Sequence, residues 1–213
     1  MGVMPKVQLF VRLVPVCGAA LACAGCGWLS DGPSNLVLDA RTSNAVLEPV
    51  YTTAVYRYID PNTMDVVLSD LPIGLLMDAA EGRLAEPLPA GNLSRVHVFL
   101  NPRAGYTPID YTASNASFTH IVVSGEVYGV YTGAGFVLPS TAPGEPSFSG
   151  NTSGANLKLA SATAGFEDML GPTEVTGRVS ATRDDATAEK LGALVSAMAR
   201  YATPAGAASQ HAK

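Results

Sequence analysis

The sequence predicts a mainly β domain, an antiparallel sandwich or barrel of about seven or eight strands with a C-terminal α-helix packed on it. Three observations lead there. Runs rich in β-branched and aromatic residues recur from Val50 onward, and turn residues separate them at roughly ten-residue spacing. Several of these runs alternate apolar and polar residues, the period of a half-buried strand. Only the segment 185–201 combines helical spacing of apolar residues with the length of an ordinary helix.

The first thirty residues read differently. Lys6 and Arg12 supply positive charge, and no Asp or Glu precedes Asp31. From Leu13 an apolar run leads to Cys26, interrupted by Pro15 and Gly18. It is too short for a membrane span, which needs about 20 apolar residues, and fits the core of a signal peptide. Two small residues, Ala24 and Gly25, directly precede Cys26. This resembles the lipobox of bacterial lipoproteins, although Cys23 occupies the position three before the cysteine, where an aliphatic residue is usual. The resemblance covers residues 1–26. It implies cleavage after residue 25, acylation of Cys26 and a domain in the cell envelope facing the periplasm or exterior. In a diderm cell the target would be the outer membrane, since Gly27 rather than Asp follows the cysteine. Two or more acyl chains would hold the chain stably, since one binds only marginally. A plain secretory peptide and a thiol metal site at Cys17, Cys23 and Cys26 are the alternatives. The second lacks any nearby His or carboxylate.

All three cysteines lie in this segment, so no disulfide is expected in the domain. Residues 26–35, with the single tryptophan Trp28, read as anchor and tether; an amphipathic ring there suits a lipid–water interface. Residues 36–201 form the predicted globular domain, and 202–213 lack pattern, as in a disordered tail. The chain carries −5 at pH 7, and loss of Lys6 and Arg12 would take it to −7. With no Lys/Arg cluster, this charge disfavours nucleic acid as a partner.

The elements follow in order. Residues 50–59 form a strand, Asp60-Pro61-Asn62-Thr63 a turn, and Met64 to Leu68 the returning arm of a hairpin. Residues 72–80 form a short helix with Pro72 in its first turn. From Arg95 to Leu100, Val96, Val98 and Leu100 share one face, and Arg95, His97 and Phe99 the other. Phe118 to Val123 repeats that habit, and Val127 to Leu138 follows. Glycines 125, 129, 133 and 135 mark bulges or tight sheet packing. Pro, Gly, Ser or Thr fill twelve of the eighteen positions 139–156, which predicts a long loop. Weaker strands follow at 157–159 and 175–179. Asp184 or Asp185 caps the final helix, in which Leu191, Leu194, Val195 and Met198 form the buried stripe, extended by Ala188 and Tyr201.

Chemistry is sparsely signalled. His97 and His120 sit mid-strand, each on a face shared with a phenylalanine (Phe99, Phe118). If their strands pair, the two imidazoles could meet a carboxylate such as Asp65, Asp110 or Glu126 and make a metal site or acid–base pair. The simpler expectation is two half-buried strand residues with separate hydrogen-bond partners, because no His-x-His or His-x3-His spacing supports ligation. Arg103 and Tyr106, in the loop Asn101 to Asp110, are candidates for gripping an anionic ligand. Gly150-Asn-Thr-Ser-Gly154 is not a nucleophile elbow, and Gly133-Ala-Gly135 leads into strand rather than helix, so neither a serine hydrolase nor a dinucleotide loop is indicated. Asn92, Asn115 and Asn151 head Asn-x-Ser triplets, which predicts surface positions. No catalytic residue, metal or cofactor is assigned.

Three classes of function fit. The first is a non-catalytic envelope lipoprotein, bound to membrane lipid through its anchor and acting on another envelope component. The second is a carrier of a small apolar molecule, similar in plan to the lipocalins but without their Gly-x-Trp motif. The third is a hydrolase or metal enzyme built on His97 and His120.

Overall fold

Asp60 turns the first hairpin by the chemistry its residue type offers. Its carboxylate accepts from the backbone N of Asn62 at 2.7 Å and from the Thr63 hydroxyl at 2.6 Å. These bonds hold its carboxyl below the usual carboxylate range. The hairpin joins β3 (Thr53–Asp60) to β4 (Thr63–Ser69). The computed structural model describes residues 32–99, 114–142 and 144–205.

Beyond the hairpin the chain meanders. Helix α1 (Ile73–Ala80) leads to β5 (Gly91–Phe99), β6 (Ala116–Ser124), β7 (Val127–Pro139) and β8 (Ser147–Ala162), each antiparallel to the one before from β4 onward. Strand β9 (Thr173–Arg183) then pairs antiparallel with β8 along one edge. Its other edge meets β1 (Val37–Ala40) at Thr173–Thr176 and β3 at Thr182–Arg183. Strands β3 to β9 therefore close on themselves as a ring of seven, within a sheet of ten. The ring is antiparallel except at β3–β9, which is parallel. The short strands β2 (Val46–Leu47) and β10 (Thr203–Pro204) lie at the margins.

Period-two burial divides the apolar residues into two cores. The inner face carries Tyr56, Met64, Val66, Val96, Phe118, Tyr131 and Phe148 among others. The outer face of β4, β5 and β6 carries Val67, Leu93, Ile121 and Val123, which pack under α1 and α2 (Asp185–Tyr201). The predicted C-terminal helix is thus present and packed on the sheet. Asp184 caps it, accepting from Thr187 N at 3.0 Å. Its buried stripe is Ala188, Leu191, Gly192 and Val195. Leu194 and Met198 are only half-buried, and Tyr201 is exposed, so the helix is rotated slightly from the expected stripe. Among the described residues no helix is long and apolar enough to cross a membrane.

Three expectations need correction. Residues 147–156 are strand, not loop. Phe148, Gly150 and Thr152 point in; a bulge at Ser153–Gly154, with Gly154 at φ +67°, shifts the register, and Ala155 and Leu157 point in thereafter. Small inward residues and one slip hide the alternation. Of the tail, Thr203 and Pro204 pair with Ala162 and Ser161. Asn92 is buried, bonding Asp70 through its backbone N (2.6 Å) and its side-chain amide (2.7 Å), and Asn115 is half-buried, whereas Asn151 is exposed as expected. Three of the four glycines fit the reading, since a Cβ on Gly133 or Gly135 would collide with β8 and one on Gly129 with the Phe166 ring, whereas Gly125 turns the chain between β6 and β7 at φ +68° in open space.

Candidate functional site

Strands β5 and β6 pair in the register His97↔Ser117 and Ser94↔His120. Residues directly opposite share a face, and faces alternate along a strand. His97 therefore lies on the outer face with Ser117, and His120 on the inner face with Ser94. The two histidines are on neighbouring strands, as expected, but one residue of parity separates them through the sheet.

On the inner face His120 ends a buried chain of hydrogen bonds. Its Nδ1 lies 2.8 Å from Ser94 Oγ, which lies 3.2 Å from the Tyr51 hydroxyl. Its Nε2 has no hydrogen-bond partner among the described residues. Beside the ring is a cavity of about 10 Å³ between Leu36, Leu38, Phe118 and Leu157, the room of about one water. Burial disfavours the imidazolium and holds the ring down to about 4. The same burial raises the Tyr51 phenol well above its ordinary value.

On the outer face a carboxylate organises the cluster. Asp65 is fully buried on β4, opposite His97 in the β4–β5 pairing and opposite Arg57 in the β3–β4 pairing. Arg95 donates to it twice, Nε to Oδ1 at 3.0 Å and Nη2 to Oδ2 at 2.8 Å. The third nitrogen, Nη1, donates to Ser196 Oγ of α2 at 3.0 Å. His97 Nδ1 is 2.8 Å from Asp65 Oδ1. A carboxylate oxygen accepts, so Nδ1 is the donor in this contact and Nε2 is the ring nitrogen without a partner among the described residues. Arg57 sits 3.8 Å from Asp65 and 3.2 Å from Glu189 of α2. Phe99 stacks edge-on against the His97 ring at 4.6 Å.

Beyond the edge of α2 this cluster opens to solvent. Arg95, His97, Ser117 and Thr119 line a pocket of about 190 Å³. The Ser117 and Thr119 hydroxyls have no hydrogen-bond partner among the described residues. Compared with family models, curated proteins and solved structures, the chain matches none.

The remaining sequence candidates fall elsewhere. Cys26, Arg103, Tyr106 and Asp110 lie outside the described residues. Glu126 is exposed in the β6–β7 turn, at the end of β6 away from His97. Among the described residues no group of three or more His, Cys, Asp or Glu side chains could hold a metal ion. Sequence reasoning placed Arg95 and His97 on one face and named Asp65 among the carboxylates a histidine could meet, but missed that Arg57 and Arg95 join the same carboxylate. The available signal was Asp65 itself, a lone carboxylate inside Met64-Asp65-Val66-Val67-Leu68, where a buried charge needs a cationic partner.

Proposed function

We propose that this chain is an exported protein held to a membrane by lipid on Cys26, and that its β domain acts by binding another envelope component rather than by catalysis. The observation that carries the reading is Ala24-Gly25-Cys26 at the end of a short apolar run behind Lys6 and Arg12. The domain's construction supports the second half. A carrier of apolar molecules needs an open, apolar interior, whereas the inner face here carries the buried side chains of Tyr56, Met64, Phe118, Tyr131 and Phe148 in one packed core. An enzyme built on His97 and His120 needs both rings at one point, and they occupy opposite faces of the sheet. The acidic charge of −5 favours a partner other than nucleic acid.

Metabolic labelling with a tagged fatty acid tests the anchor. The native chain should take up label, and Cys26→Ser should lose it and leave an uncleaved or soluble product. Undiminished label in that variant would refute Cys26 as the modified residue and point to Cys23. Pull-down of the intact lipoprotein from envelope extract would then identify the partner.

A further inference from the structure

We infer that the outer-face pocket of β5 and β6 binds a small tetrahedral oxyanion group, phosphoryl or sulfate in kind, through Arg95, His97, Ser117 and Thr119. The inference rests on the binding reading of the domain and names the ligand class of its site.

The pocket's size comes first. At about 190 Å³ it falls below the roughly 300–1,000 Å³ of sites for drug-sized ligands, so it accommodates one compact group. Its lining is a donor set. Arg95 spends Nε and one N–H of Nη2 on Asp65 and one N–H of Nη1 on Ser196. One N–H remains on each of its two terminal nitrogens. The Ser117 and Thr119 hydroxyls add two rotatable donors without partners among the described residues. A protonated His97 ring presents Nε2–H while its Nδ1 is held by Asp65. Donors from one guanidinium, one imidazole and two hydroxyls suit an oxyanion with several exposed oxygens.

The donors are also held in place. Asp65 fixes the guanidinium on one side and Ser196 on the other, and Ser196 in turn donates to Gly192 O at 2.9 Å. The nearby charges leave room for an anion. Asp65 and Glu189 face Arg57 and Arg95, so the four cancel before His97 is counted. Lys158 lies on β8 opposite Thr132, itself opposite Thr119, adding a cation two strands away in the same row.

The same residues could be read as a nucleophile, base and orienting carboxylate in one row, Ser117, His97 and Asp65. The geometry favours the anion site instead. Among the described residues no hydrogen bond joins Ser117 to His97, and the backbone of β5, β6 and β7 is paired within the sheet rather than gathered into an oxyanion hole.

The test uses the full chain, carrying ¹³C-labelled histidine and purified in detergent, with inorganic phosphate and sulfate as probes. The imidazole signal of His97, assigned through His97→Gln, should move saturably with either anion, while that of His120 stays still. In a Ser117→Ala/Thr119→Val chain the apparent affinity should fall by about tenfold; thermal melting establishes that the variant folds, and Ser117→Ala alone serves if it does not. Vesicles of phosphatidylglycerol, with phosphatidylcholine as control, distinguish the source. Competition by the anionic vesicles alone assigns the group to a lipid headgroup, and absence of competition assigns it to a soluble or polymer-borne anion. A His97 signal that does not move up to tens of millimolar phosphate and sulfate would overturn the inference, as would equal affinity in the hydroxyl variant. Neither result would bear on fatty-acid labelling at Cys26.

Discussion

Ser94 Oγ stands 2.8 Å from His120 Nδ1, and the other nitrogen of that ring is buried without a partner among the described residues. The imidazole is thus fully buried with one nitrogen bonded, and burial disfavours its charged form and sets a pH dependence. Its pKa is held down to about 4 from 6.5 by burial. The unfolded chain therefore takes the proton first as pH falls. Stability should decline from about pH 6.5 to about pH 4, by up to about 3 kcal/mol, and level off below. Urea midpoints at pH 7, 5.5 and 4 would read this. His120→Gln should flatten the slope in that window, whatever it does to stability at pH 7. A slope unchanged by the substitution would assign the titration to another group.

Asp65 is the buried charge on which Arg57, Arg95 and His97 depend. Removing one partner of such a cluster is more damaging than removing both. Arg57 and Arg95 keep side-chain exposures of 22 % and 26 %, so part of their charge stays solvated. Asp65→Asn should then cost about 3 kcal/mol, at the lower end for a buried pair. Combined with Arg95→Met, it should cost less than the two single changes added together. A double-mutant cycle by urea denaturation reads the coupling, and additive losses would show that the pair contributes nothing beyond its separate members.

The elements most legible in the sequence were those whose signal is local. The β3–β4 turn is encoded in Asp60 to Thr63, and α2 in one capping aspartate and a helical stripe. Strand β8 was not legible, because its inward positions include Gly150, Thr152 and Ala155 and because the bulge at Ser153–Gly154 shifts their phase. The candidate site was half legible. Alternation assigns Arg95 and His97 to one face, but which carboxylate they meet depends on β4 pairing with β5 in one register, and no local pattern specifies that. For the same reason alternation places His97 and His120 mid-strand without revealing that the sheet separates them.

The rotation of α2 can be tested by comparing apolar truncations. Leu191 is fully buried in the outer core, the cluster that also holds Val67, Leu93 and Ile121, while Leu194 is only half-buried. Leu191→Ala should cost about 2–5 kcal/mol, and Leu194→Ala should fall below that range. Lys190 reaches Glu81 at 2.7 Å, but the pair is solvent-exposed, so Lys190→Ala should cost at most about 1 kcal/mol. Thermal or urea melts would rank the three. Leu194→Ala costing more than Leu191→Ala would mean that the helix presents a different face to the sheet.

Two glycines should respond oppositely to the same added methyl. Gly192 lies buried inside α2, above the Asp65–Arg95 pair. A Cβ there would stand 3.7 Å from Arg95 Nε and 3.9 Å from Asp65 Oδ2, ordinary contact distances. Nothing need move, and glycine within a helix is less favourable than alanine by about 1 kcal/mol. Gly192→Ala should therefore raise stability by up to that amount. Gly133 lies on β7 opposite Leu157, and a Cβ there would strike the Asn156 carbonyl. Backbone is the least yielding of neighbours, so relief requires β7 and β8 to part where the ring is continuous. Gly133→Ala should cost about 1–3 kcal/mol, the range for overpacking. Melting temperatures of both variants would decide the matter. A neutral Gly133→Ala would mean that β7 and β8 do not approach so closely, and a destabilising Gly192→Ala would mean that even a methyl presses on the buried ion pair below it.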